Sequence, residues 1–442
     1  MDKLVVVGGS TLRGTLPVSG SKNAALPLMA AAVLAEGRTT LYNIPNLKDV
    51  ITFAHVLRVV GADVDFDADT HIMTIDATDI SHPEAPYELV KQMRASFYML
   101  GALLGRCGRA RVSLPGGCAW GPRPVDLHIR GMEALGATIE LDQGYVVAEA
   151  PNGRPSGGDF KMTPSSVGTT INLMLAAVRA DGVSRISNAA REPDVVLFGD
   201  MLQKMGADIR GLGTTTLEIH GVDRLEAVEF SNSPDRIEIG TFMIAAALAG
   251  SADEPVVLEG ASSEHLGEAF IDAFRATGAS MEERDNALVI TAPDEIQPVS
   301  IETAVYPGFP TDLQAQWTIL MSQAKGNSRI IDNVYHDRFN HIPELARMGL
   351  KAIVINNEVV IEGGHQLQGV PVMSTDLRAS VSLVLAGLVA RGETHVLRVY
   401  HLDRGYENLE GKLSAAGIDI RRDDYEEFPL GAEDGAVIES RS

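Results

Sequence analysis

The segment LPGGCAWGPRPVDLH (114–128) crowds Pro115, Gly116, Gly117, Gly121, Pro122 and Pro124 into a span that suits neither regular helix nor strand. Cys118 sits in the middle of it, with Arg123 close by. A thiol near cations has a lowered pKa and can donate a proton or act as a nucleophile. The alternative is a small buried hydrophobe, a reading that suits Cys107, at the end of an Ala/Leu-rich segment, better than Cys118.

A second set of polar residues recurs at the openings of apolar, Ala-rich segments. SGSKNAAL, VKQMRASF, PSSVGTTI, SPDRIEIG, FPTDLQAQ and STDLRASV place Lys22 and Asn23, Arg94, Ser166, Arg236, Asp312, Asp376 and Arg378 at similar positions. Further along each unit come Lys48, Arg123, Arg191 with Glu192, Glu264 with His265, Arg338 and Arg404. Ser and Asp at a helix start are ordinary caps, and Arg191 or Arg236 would serve equally in structural ion pairs. A cation at a helix N-terminus is disfavoured by the macrodipole. Repeated cations there therefore imply anions among them, and free N-terminal amides add to such a site. Arginine also grips carboxylate and phosphate with two parallel bonds. The chemistry indicated is the handling of strongly anionic reactants.

The elements that must carry these residues form a faint six-fold repeat. VLRVVGADVDF, GMEALGATIEL, MLQKMGADIRG, AFRATGASMEE, LARMGLKAIVI and KLSAAGIDIRR each read as the end of an amphipathic helix, a glycine stop and a strand. The stops are Gly61, Gly136, Gly206, Gly278, Gly349 and Gly417. Each is preceded by an Ala-rich helix that runs through a glycine into a strand, as in LMAAAVLAEGRTTL. Ala-rich helices pack closely on one another, and alternating stretches such as THIMTIDA suit a sheet with one solvent face. The reading is six helix–strand–helix–strand units in two domains of three, helices inside and sheets outside. One chain crossing is expected within EFSNSPDRIEIG (229–240), and the second-helix cations open helices of about three turns. If the units surround pseudo-threefold axes, several helix ends face a cleft between the domains, a common place for ligands.

With 442 residues the chain is too long for one core. Its formal net charge of -22 argues against a nucleic-acid partner, which would need a basic face. Two cysteines do not make a disulfide framework, so a reducing, cytoplasmic setting is expected. The start MDKLVVVGG does not read as a signal peptide, and the apolar runs 26–35 and 381–390 are too short to span a bilayer. No Cys/His cluster has metal-ligand spacing and no Gly-rich nucleotide loop is present, so neither metal nor cofactor is expected. The segment 423–442 reads as an acidic, partly disordered tail.

SGSKNAALP, MRASFYMLGALL, LPGGCAWGPRPVDLH, NAAREPDVV, PDRIEIGTF, GFPTDLQAQ, RFNHIPELARMG, TDLRASVSLVLAG and YHLDRGYENLE together resemble the successive signatures of UDP-N-acetylglucosamine 1-carboxyvinyltransferases, in the enolpyruvyl transferase family. The resemblance runs from residue 19 to about residue 410. It implies a two-domain inside-out α/β barrel, each domain three βαβαββ units. The domains would be 22–233 and 1–21 plus 234–422. It implies transfer of the enolpyruvyl group of phosphoenolpyruvate to the 3-hydroxyl of UDP-N-acetylglucosamine, the first committed step of peptidoglycan synthesis.

By position, Lys22 and Asn23 would contact phosphoenolpyruvate, and Arg123, Arg338 and Arg404 would complete its cationic clamp, with Arg378 beside it. Arg94 and the run Arg123, Pro124, Val125, Asp126 and Leu127 would bind the UDP-sugar, with Ser166, Val167 and Val334 nearby. Asp312 would be the base at the sugar hydroxyl. Cys118 would be the proton donor and the residue labelled by an epoxide such as fosfomycin. Asp376 would assist proton handling. One departure is Pro164, where some members carry a lysine; the nearest here is Lys161. The shikimate-pathway relatives lack the cysteine loop and usually carry Asp-Lys-Ser where this chain has Ser21-Lys22-Asn23. A paralog with another acceptor and a non-catalytic sugar-nucleotide-binding regulator are the remaining alternatives.

Overall fold

The computed structural model describes residues 1–91, 93–114, 125–335 and 337–425. Their strands form six separate four-stranded sheets, none closed into a barrel. All six share one pattern: a parallel pair at one edge, then two antiparallel neighbours. In one sheet Glu84–Ala85 runs parallel to Arg109–Ser113, which pairs antiparallel with Tyr145–Glu149 and through it with Thr138–Asp142.

Three of the sheets borrow a strand from far along the chain. Glu229–Ser231 supplies the parallel partner of Arg38–Tyr42. Gly14–Pro17 does the same for Val256–Glu259. Asp2–Val7 lies between Glu393–Leu397 and Ile420–Asp424. The N-terminal strands thus belong with the C-terminal sheets. The chain crosses twice at one place, where Gly20 bridges Pro234 and the Ser21 and Asp235 amides donate to Ser233 and Ser19. The last sheet also extends beyond residue 422. Asp423 and Asp424 pair with Lys3 and Asp2, because Asp2–Val7 offers them a full strand edge.

Six helices are almost wholly buried: Lys22–Ala32, Met99–Cys107, Val167–Ala177, Arg236–Ala249, Gln314–Ser322 and Leu377–Val389. They sit inside and the sheets outside. Alternation on the strands places one face on the helices, as in Ile72–Asp76, where Met73 and Ile75 are buried. The apolar side chains fall into two cores, one from residues 25–225 and one from residues 4–16 and 237–420. Each fully buried Leu, Ile or Phe contributes about 2 kcal/mol. Small residues set the helix spacing. A Cβ on Gly101 would stand 2.1 Å from the Asn172 carbonyl oxygen, so only glycine lets Met99–Cys107 lie against Val167–Ala177.

The six repeat glycines all adopt left-handed φ, from 87° at Gly136 to 115° at Gly61, and end the outer helices as the repeat predicts. The openings of those helices differ from the spacing. Arg191 and Arg338 lie on irregular backbone ahead of Pro193–Lys204 and His341–Arg347, and Arg404 ends the 3-10 helix Val399–Arg404 ahead of Leu409–Ala415. Among the described residues of that set, only Lys48 starts its helix. The late starts of His341–Arg347 and Leu409–Ala415 leave Arg338 and Arg404 outside those helices. Among the described residues no helix is long and apolar enough to cross a membrane.

Candidate active site

Lys22 is the first residue of Lys22–Ala32, whose start is capped by the Ser21 hydroxyl accepting from the Ala24 amide at 3.2 Å. Its ammonium lies 3.4 Å from Asp49 Oδ2. Asp49 belongs to the first turn of Lys48–Val60 and is only 5% exposed. Both of its oxygens also meet Arg404, Oδ1 at 2.9 Å from Nε and Oδ2 at 3.4 Å from Nη2. Burial pushes the Lys22 pKa down. Asp49 opposes that shift, while Arg378 and Arg404 add to it.

Arg378 follows the cap residue Asp376, whose carboxylate accepts from the Arg378 and Ala379 amides at 2.8 and 3.1 Å. That cap presents the buried Arg378 guanidinium to Asp312 at 3.3 Å. Arg338 donates to the same Asp312 oxygen at 2.6 Å and to the Thr311 hydroxyl at 3.0 Å. Burial would raise the Asp312 pKa. Arg378 and Arg338 overcome it and hold the carboxyl far below the usual range.

Arg236, Asp194 and Ser21 extend the cluster. Arg236 Nε donates to Asp194 at 2.9 Å, and Ser21 Oγ donates to its other oxygen at 2.8 Å. Three carboxylates, Asp49, Asp194 and Asp312, therefore sit among five cations from both cores. The anions implied by cations at helix starts are supplied in part by the chain itself. Such a cluster can exchange internal carboxylates for a phosphate and a carboxylate of a reactant.

A second group gathers at the first core's helix ends. Ser166 caps Val167–Ala177, its hydroxyl accepting from the Thr169 amide at 3.2 Å. Asp126 and Leu127 open Asp126–Ala134 directly after Val125. Between these ends lies buried His128. Its Nδ1 accepts from the Asn172 side-chain amide at 3.0 Å, which leaves the ring proton on Nε2. Burial, with Arg94 adding to it, pushes the His128 pKa down to about 3. Arg94 opens the turn Arg94–Tyr98, and Tyr98 feels the charges of both Arg94 and Asp194, which links the two groups. Val334 is held by its amide donating to Asp332 at 3.0 Å, the carboxylate that also accepts from Thr311 beside Arg338. Asn23 follows Lys22 on the same turn.

Cys118, Arg123 and Pro124 lie outside the described residues, as does the tail from residue 426. Several contributors are absent from the residues read out of the sequence: Asp49, Asp194 and Tyr406. The Tyr406 hydroxyl meets Thr241 Oγ1 at 2.8 Å, Gln316 Nε2 at 3.3 Å and Arg378 Nη1 at 3.5 Å. It ties the three inner helices of the second core to one guanidinium. Asp49 follows Lys48 at a helix opening, and that position is the one signal for it in the sequence.

Comparison with known proteins adds to this geometry. The family model for EPSP synthase (3-phosphoshikimate 1-carboxyvinyltransferase) matches residues 6–413. The UDP-N-acetylglucosamine 1-carboxyvinyltransferase of Chloroherpeton thalassium is 53% identical over 97% of this chain and 99% of its own length. That of Chlorobaculum parvum is also 53% identical, over 97% of this chain and the whole of its own. Among solved structures, the enolpyruvyl transferase NikO of Streptomyces tendae superposes with a TM-score of 0.87 at 27% identity, covering 95% of this chain and 98% of its own. EPSP synthase of Acinetobacter baumannii, at 17% identity and a TM-score of 0.75 over 96% of this chain and the whole of its own, shares the fold.

Proposed function

The chain belongs to the EPSP synthase family of enolpyruvyl transferases, and we propose that it transfers the enolpyruvyl group of phosphoenolpyruvate to the 3-hydroxyl of UDP-N-acetylglucosamine and releases phosphate. The observation that carries the acceptor is 53% identity, over nearly both full lengths, to relatives bearing that activity in their names. The reaction stands at the entry to peptidoglycan synthesis, and a cytoplasmic setting is part of the proposal.

Lys22, Asn23, Arg338, Arg378 and Arg404, with Arg123, are assigned to phosphoenolpyruvate. Held together, they offset the charge of phosphate and carboxylate so that two anionic reactants can approach. Arg94, Arg123 to Leu127, Ser166, Val167 and Val334 are assigned to the UDP-sugar. The sugar oxygen attacks C2 of phosphoenolpyruvate as C3 gains a proton, which is assigned to Cys118. The resulting tetrahedral ketal then loses phosphate from C2 and a proton from C3, restoring the double bond. Asp376 is assigned to proton handling at that carbon.

Asp312 is assigned to the hydroxyl proton. Held by two arginines it is a weak base. An arriving phosphate or carboxylate competes for Arg338 and Arg378, loosens their grip and makes Asp312 more basic as the reactants assemble. The two bodies that close on the reactants are taken as residues 22–233 and 1–21 with 234–424, since Asp423 and Asp424 continue the last sheet.

The test is phosphate release by purified protein given phosphoenolpyruvate with UDP-N-acetylglucosamine, UDP-glucose or 3-phosphoshikimate, followed by product mass. The expected result is one enolpyruvyl adduct, on UDP-N-acetylglucosamine. Turnover with 3-phosphoshikimate in its place would overturn the assignment.

A further inference from the structure

We propose that Asp49 is a positioning residue of the anion site: its buried carboxylate fixes Lys22 and Arg404, drawn from the two cores, in the geometry that receives the phosphoryl group. This rests on the assignment of Lys22 and Arg404 to phosphoenolpyruvate.

Three features support it. Asp49 is almost fully buried, and a carboxylate in that state must be paired. Both of its oxygens are engaged, by two nitrogens of Arg404 and by the Lys22 ammonium. The partners lie far apart in sequence: Arg404 is 355 residues from Asp49, at the end of the 3-10 helix Val399–Arg404. Its guanidinium is held at the site by the two bonds to Asp49. A second joint lies beside this one, where Glu407 accepts from the Asn46 amide at 3.1 Å. The contact therefore anchors the second core's arginine to the first core's lysine at the site itself.

The surroundings of Lys22 frame the test. Its ammonium faces Asp49, Arg378, Arg404 and Asp235. Removing one negative charge from this set makes it more cationic. Charge alone would then predict tighter binding of phosphoenolpyruvate by an Asp49→Asn protein. Positioning predicts the reverse, because Arg404 loses its anchor and Lys22 loses the group that favours its protonated form.

The experiment is steady-state turnover of wild type, Asp49→Asn and Asp49→Glu from pH 6 to pH 10, with thermal unfolding of each. For the Asn variant, kcat/KM for phosphoenolpyruvate should fall about thirtyfold, while the KM for the UDP-sugar stays within about threefold. The alkaline limb of the phosphoenolpyruvate profile should move about one unit lower, since Lys22 now releases its proton more readily. Asp49→Glu keeps the charge and should restore the limb, with a smaller loss of kcat/KM. If the Asn variant fails to fold, the Glu variant decides alone: a limb at the wild-type position supports the proposal and a displaced one overturns it. Equal or tighter phosphoenolpyruvate binding by a folded Asn variant, or an unmoved limb, also overturns it. A wild type without turnover overturns the functional reading and this inference together, which separates that failure from the failure of Asp49 alone.

Discussion

Arg338 donates to Asp312 at 2.6 Å while Arg378 holds the same oxygen from 3.3 Å. A carboxylate assigned to take a proton is thus stabilised in its ionised form by two groups assigned to bind the other reactant. Base strength and reactant binding are coupled through one oxygen atom.

Replacing Asp312 by Asn tests that coupling. The variant should lose about a hundredfold or more in kcat while still binding both reactants, since proton transfer and not anion binding is removed. Rapid-quench measurement of phosphate release gives the rate. Because the carboxyl of the free protein titrates far below the usual range, the wild-type kcat/KM profile should show no acidic limb from Asp312 in the mildly acidic region. A variant within about threefold of wild type would remove Asp312 from the chemistry.

Cys118→Ser should abolish covalent labelling by fosfomycin, read by intact-protein mass after incubation with the epoxide. A thiol beside cations is partly ionised and attacks the epoxide, and a serine hydroxyl at the same place is not. Labelling that persists in the variant would place the reactive group elsewhere.

Acid should expose two buried histidines. Burial, with Arg94 acting on His128 and Arg338 on His341, pushes each ring pKa down to about 3. The unfolded chain binds these protons near the ordinary value of about 6.5, so it gains protons over the native state as pH falls below that value. Their stabilisation is fully present above pH ~6.5 and is lost progressively between there and pH ~3, at up to about 1.4 kcal/mol per pH unit for each ring. Chemical denaturation of wild type and His341→Gln between pH 7 and pH 5 should show a shallower fall for the variant. Parallel curves would mean that His341 does not titrate as its burial requires.

How much of this was legible in the chain depends on the length scale of each feature. The helix-ending glycines are legible because left-handed φ is a single-residue preference, and all six are met. The inside placement of the Ala-rich helices is legible because composition reports how closely helices approach, as at Gly101 and Asn172. The return of residues 2–7 and 14–17 to the C-terminal sheets follows from resemblance and from no local pattern, since a strand edge does not name its partner. The cations at helix starts stand out because they break the dipole rule. Their partners do not. Asp49 meets Arg404 across 355 residues, Tyr406 meets Thr241 across 165, and an aspartate in a first helical turn is otherwise unremarkable. Two outer helices, His341–Arg347 and Leu409–Ala415, open later than the spacing predicts, for a related reason. Spacing back from Gly349 and Gly417 cannot register that Arg338 and Arg404 lie ahead of the helices, Arg404 in a 3-10 helix of its own.

The central claim is that cations from distant segments converge on one phosphoenolpyruvate. Arg404→Ala tests it most directly, by steady-state kinetics with each reactant varied in turn. The KM for phosphoenolpyruvate should rise about tenfold or more, while that for UDP-N-acetylglucosamine stays within about threefold, as loss of one charged contact to one reactant requires. Equal rises for both reactants, or no rise for phosphoenolpyruvate, would contradict it.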